Sequence, residues 1–200
     1  MSDSWYKVDN VAKVFLATAS MRDPRVFRIS CTLQEQVDPD TLNEALRRTA
    51  QEWPQFQVTL HRGLFWHYFE STDQLPTAQP ETKAPCAPLY TPERRNKLIY
   101  RVTYFGARIN LEMFHAITDG NGGLLYLKSI VRNYLALRHP GEMENVPSPN
   151  SASAGDMAQD SFRNFYEGTK RKKTAKKPKV YRPHGFLPYS QLQFFEGHLS

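Results

Sequence analysis

The sequence predicts a layered α/β domain of the α+β type: a mixed, largely antiparallel sheet flanked by helices. Three observations carry that prediction. Two long segments, 38–53 and 119–138, repeat apolar residues at helical spacing. Shorter segments around them alternate apolar and polar residues with a period of two. Those alternating segments come mostly in pairs split by a few turn residues, as hairpins do. At 200 residues with 40% apolar content, the chain can bury the core of one domain.

Each element follows from its residues. "WYKVDNVAKVF", from Trp5, reads as a helical turn or two. In "RVFRISCTL", Phe27, Ile29, Cys31 and Leu33 alternate with Val26, Arg28 and Ser30, which is a strand. In "VDPDTLNEALRRTAQEWP", Asp38 suits the N-cap, Pro39 the first helical position and Asp40 the positive end of the helix. Leu42, Ala45, Leu46, Thr49, Ala50 and Trp53 form its buried stripe, and Pro54 ends it. "QFQVTLHRGLFWHYFE" is a hairpin turning near Arg62 and Gly63; its two histidines, His61 and His67, do not face each other and make a poor metal pair.

Residues 71–97 hold five prolines and few large apolar side chains, so they predict a long surface loop. "KLIYRVTYFGARINLEMFHAI" gives two strands around Gly106. "DGNGGLLYLKSIVRNYLALRHPG" is a helix capped by Asp119, with Leu124, Leu127, Ile130, Val131, Tyr134, Leu135 and Leu137 as its buried face. Beyond it come a Pro/Ser/Asn-rich stretch at 141–155, a short helix at 156–167, a basic tract and a final strand in "SQLQFFEGHLS".

Composition narrows the function classes. The net charge of +6 is concentrated: seven basic residues fall in the ten positions of "KRKKTAKKPK", at 170–179, and the rest of the chain carries −1. A like-charge block of this kind is most often a solvated connection, so nucleic acid is not the expected partner. No apolar run nears the roughly eighteen residues of a membrane span, and "MSDSWYKVDN" does not resemble a signal peptide. Cys31 and Cys86 lack metal-ligand spacing and read as free thiols of a cytoplasmic protein. No metal site is expected.

The chemistry-bearing motif is "HAITDG", residues 115–120. It places His115 at the carboxyl end of a strand and Asp119 at the start of a helix, with Gly120, Gly122 and Gly123 leaving that helix N-terminus bare. Such a junction turns backbone N–H groups outward and admits a ligand closely, which makes Gly122 and Gly123 candidate substrate contacts. It is equally what a buried histidine followed by an ordinary N-cap would look like. From spacing alone both readings stand, since H-x-x-x-D-G arises by chance in roughly one or two such chains per hundred.

"HAITDG" resembles the H-x-x-x-D-G signature of the CoA-dependent acyltransferase superfamily, which includes chloramphenicol acetyltransferase, condensation domains of nonribosomal peptide synthetases and alcohol acetyltransferases. The order of elements from residue 5 onward is similar to the N-terminal half of such enzymes. The resemblance implies acyl transfer from a CoA or carrier thioester to an alcohol or amine, with His115 as general base. It implies acyl-CoA as a co-substrate and no permanently bound cofactor. It gives Asp119 a structural role, commonly through an arginine, and Gly120 a tight entry into the helix. Phe114 stands where many members have a further histidine.

Two-domain members run to more than twice this length. The resemblance therefore implies an N-terminal core at 1–138, a crossover at 139–185 and a strand at 186–200 before a second half that completes the active-site tunnel. That second half is the expected partner, and the 200-residue chain alone is expected to be inactive. The alternative is a non-catalytic docking module of the same fold.

Overall fold

A computed structural model describes residues 5–142 except 65, 92 and 93. The helix expected at 156–167, the basic tract at 170–179 and the final strand lie outside the described residues.

The elements run β1 (Trp5–Lys7), α1 (Asn10–Thr18), β2 (Val26–Thr32), α2 (Pro39–Glu52), β3 (Val58–Arg62), β4 (His67–Ser71), β5 (Ala78–Pro80), β6 (Tyr100–Phe105), β7 (Arg108–Phe114) and α3 (Gly120–Arg138). They build two sheets. The larger has the order β2-β7-β6-β5, antiparallel except for the β5–β6 pair, and the smaller, β1-β4-β3, is wholly antiparallel. The mixed, largely antiparallel character is as the sequence predicts.

Local chemistry explains the strongest elements. The Asp38 carboxylate accepts from the Thr41 N–H at 2.7 Å, and Pro39 opens α2 as expected. The apolar stripe of α2 is fully buried, and Trp53 caps its end before Pro54. Asp119 caps α3 by accepting from the Gly122 N–H at 2.9 Å. The two helices are joined by Trp53 Nε1 donating to Ser129 Oγ and Asn133 Nδ2 donating to Thr49 Oγ1, each at 2.9 Å.

Several expectations need correction. Trp5–Lys7 is a strand rather than helix, because it pairs with β4 in register from Trp5↔Glu70 to Lys7↔Tyr68; the helix waits for the Asp9 cap. The 71–97 loop contributes β5, three residues too short to show a period. On α3 the expected Leu127, Ile130 and Tyr134 are buried and Val131, Leu135 and Leu137 pack partly buried against the core, but Leu124 is 38% exposed, and Gly123, Tyr126, Ser129 and Asn133 complete the buried face. Polar Ser129 and Asn133 can be buried because α2 supplies their partners.

The strand alternation sends each sheet face to a different environment. Ile109, Leu111 and Met113 pack with α2 and α3, while Phe114 joins a second cluster with Val8, Ala12, Leu60, Leu89 and Ile99. On that second face the register brings Arg28, Glu112 and Arg101 side by side across β2, β7 and β6. Glu112 is fully buried and binds both guanidiniums and the Cys86 N–H, while Glu81 joins Arg28 to Arg108. The hairpin register, Arg62↔His67 and His61↔Tyr68, keeps the two histidines off direct opposition.

Candidate active site

β7 ends at Phe114, and the next residue is His115. Its backbone N–H donates to the Arg25 carbonyl at 2.9 Å, which carries the β2–β7 ladder one step past the strand. Arg25 itself sits at φ +54°, a conformation that side chains other than glycine seldom adopt. Ile117 N–H then bonds the Phe114 carbonyl at 3.0 Å, turning the chain toward α3.

The half-buried His115 ring is clamped between two aromatic side chains. Phe15 of α1 stacks on it at 4.2 Å with a 10° interplanar angle, and Phe27 of β2 lies tilted at 4.9 Å. The clamp fixes the ring plane without using its nitrogens. Nδ1 is buried with no hydrogen-bond partner among the described residues. Such an orphan costs about 1–3 kcal/mol and leaves Nε2 as the nitrogen able to meet an incoming group.

The rest of the motif is arranged around α3. Asp119 is exposed and serves as the helix cap; it forms no ion pair with an arginine among the described residues. Gly120 is not needed for helix entry, since a Cβ there would meet nothing within 4 Å. The glycines that matter are the next two. A Cβ on Gly122 would lie 2.0 Å from Thr118 Oγ1, and one on Gly123 would lie 2.8 Å and 2.9 Å from the ring of Phe27. Gly123 thus lets α3 rest against the same ring that holds His115. Sequence reasoning missed Phe15 and Phe27 as site residues, because their spacing is that of ordinary core positions.

Phe114 is a buried packing residue whose ring stacks on Tyr90 at 6.3 Å. It borders a cavity of about 450 Å³ with Arg62, His67 and Arg95, and His115 does not line that cavity. His61 is tied to Thr59 Oγ1 and Glu70, each at 2.8 Å. Burial raises the thiol pKa of both Cys31 and Cys86, for Cys86 with help from the Glu112 charge against Arg28 and Arg101. Neither cysteine is tuned as a nucleophile. Among the described residues no three His, Cys, Asp or Glu side chains converge as a metal site, and no helix is long and apolar enough to cross a membrane.

This architecture is that of condensation domains. No family model and no curated protein matches the chain. Among solved structures it is similar to the starter condensation domain of rhizomide synthetase RzmA, with a TM-score of 0.52 and 13% identity over 68% of this chain. A mutant of that domain in complex with C8-CoA gives 0.54 and 12% identity over 67% of the chain. The complex of the X-domain and OxyB from teicoplanin biosynthesis gives 0.53 and 14% identity over 76%. The chain spans only 38%, 36% and 36% of those structures' own chains. The chain therefore has a condensation-domain-like fold and corresponds to a minor part of such domains.

Proposed function

We propose that the chain is the N-terminal part of an acyltransferase that moves an acyl group from a CoA or carrier thioester to an alcohol or amine, with His115 as general base. The observation that supports this best is the clamped His115 ring at a strand end, on a condensation-domain-like fold, with Nδ1 buried and Nε2 left for a substrate.

In this reading the acceptor O–H or N–H donates to His115 Nε2 as its heavy atom attacks the thioester carbonyl. The C–S bond then breaks and the leaving thiolate takes the proton back from the imidazolium. Asp119, facing solvent as a cap, stabilises the helix behind the base and carries no proton. In this reading residues 1–138 supply the first half of the site.

The test has two arms. The 200-residue chain alone is expected to give no significant transfer from acetyl-CoA, because one wall of a tunnel cannot orient two substrates. A longer form bearing the second half is expected to turn over, and His115→Ala in it to lose about 10²–10⁴-fold in kcat/KM. His115-dependent turnover by the short chain would overturn the half-enzyme reading. Turnover of the longer form indifferent to His115→Ala would overturn the base.

A further inference from the structure

We infer that the cavity beside Phe114 is a second binding site, separate from His115, for a small organic anion with an apolar body. It is an open pocket bordered by the end of α1, the β3–β4 hairpin and loop residues around Tyr90, and its volume of about 450 Å³ is in the range of small-molecule sites.

The charge of its lining is one-sided. Arg62, at the end of β3, and Arg95 both border it, and both bear on the Tyr90 phenol. No carboxylate among the described residues lines the cavity, and neither arginine has an ion pair among them. This is unlike the sheet, where Arg28, Arg101 and Arg108 are each neutralised by Glu81 or Glu112. Two guanidiniums with no carboxylate partner among the described residues attract an anion at this cavity, and their fork geometry suits a carboxylate or phosphate.

The remaining walls define the rest of the ligand. Burial, and next the Arg62 charge, lowers the His67 pKa, so its imidazole is a neutral hydrogen-bonding group rather than a third cation. Burial holds the Tyr90 pKa up, so its phenol stays a donor. Leu16 and Phe114 supply apolar wall against which a short chain or ring can pack. Separation from the proposed base rests on the lining, which includes Phe114 but not His115. The inference rests on the cavity alone and not on the acyltransferase reading.

The experiment is a calorimetric titration of the 200-residue chain with hexanoate, hexyl phosphate, hexanol and inorganic phosphate. Amide NMR shifts at Tyr90 and Phe114 locate the binding. At least one of the two hexyl anions is expected to bind about tenfold or more tighter than hexanol and than inorganic phosphate. Which anion binds tighter tells a carboxylate ligand from a phosphate one. Arg62→Gln with Arg95→Gln is expected to weaken that binding about tenfold, and Arg62→Lys, which keeps the charge but loses the fork, to weaken it less than the double variant does. Both arginines are exposed, so the substitutions spare the fold. Hexanol binding as tightly as both anions, inorganic phosphate matching hexyl phosphate, no anion binding, or an unchanged double variant would each overturn the inference.

Discussion

Replacing Gly123 with alanine tests whether the close approach of α3 to β2 is what holds the histidine clamp. The added Cβ would sit 2.8 Å from Phe27 Cε2, 2.9 Å from its Cζ and 3.4 Å from Ile29 Cδ1. Overpacking of that kind costs about 1–3 kcal/mol. Alanine's better helix propensity returns about 1 kcal/mol, so the net loss is roughly 0–2 kcal/mol. Gly120→Ala is the internal control: it gains some of the same propensity and meets nothing within 4 Å. Gly120→Ala should therefore be the more stable of the two variants, by up to about 3 kcal/mol.

In thermal unfolding, each kcal/mol shifts Tm by about 2–4 °C for a domain of this size, which circular dichroism resolves. A second readout is the NMR signal of the His115 ring, whose ring-current environment changes if Phe27 is pushed aside in Gly123→Ala and stays put in Gly120→Ala. If both variants melt together and leave the His115 resonances unmoved, then helix and strand are not in tight contact there. The account of why glycine stands at position 123 would then be wrong.

Other outcomes follow from buried polar groups. Glu112→Gln should cost about 3 kcal/mol or more in urea unfolding, because it strips a buried charge from Arg28 and Arg101; a loss below about 1 kcal/mol would show that the network is dispensable. Burial opposes ionisation of Glu112 and Glu81, but hydrogen bonds outweigh it and lower both pKa values: from the Cys86 N–H, Arg101 and Arg28 to Glu112, and from Arg108 and Arg28 to Glu81. Their stabilisation is thus present above the unfolded carboxyl pKa of about 4.3 and should vanish as pH falls through the lower folded values. Flat stability from pH about 5 down to 2 would contradict it. Burial pushes the Tyr100 phenol up to about 12 against the hydrogen bonds from Tyr126 and Gln57. Stability should therefore fall as pH rises from about 10 toward 12, and an ultraviolet titration showing every tyrosine ionising near 10 in the folded chain would refute that.

How much of this was legible in the sequence depended on whether the cause was local. Asp38 and Pro39 decide the start of α2 within four residues of chain, and so the cap, the stripe and the stop at Pro54 could all be read. The hairpin at Gly63 and the strand pair around Gly106 were legible for the same reason. The N-terminal strand was not, since three residues are too few to show a period before β4 arrives, some sixty residues on, to pair with them. The burial of Ser129 and Asn133 on α3 is not legible locally, because polarity argues for the surface until Trp53 and Thr49 at the other helix satisfy them.

The site divides along the same line. His115 and Asp119 announce themselves by residue type and spacing, and Asp119 falls at the cap where a short-range rule places it. What makes His115 more than a strand-end residue is contributed from far away: Phe15 precedes it by a hundred residues, and Phe27 sits in a strand whose alternation looks like any other. The glycines show the limit most sharply. All three look equivalent in "DGNGG", yet Gly120 faces open space while Gly123 faces Phe27. Only the packing of α3 on β2 separates a glycine that is required from one that is merely present, and that packing is a tertiary fact.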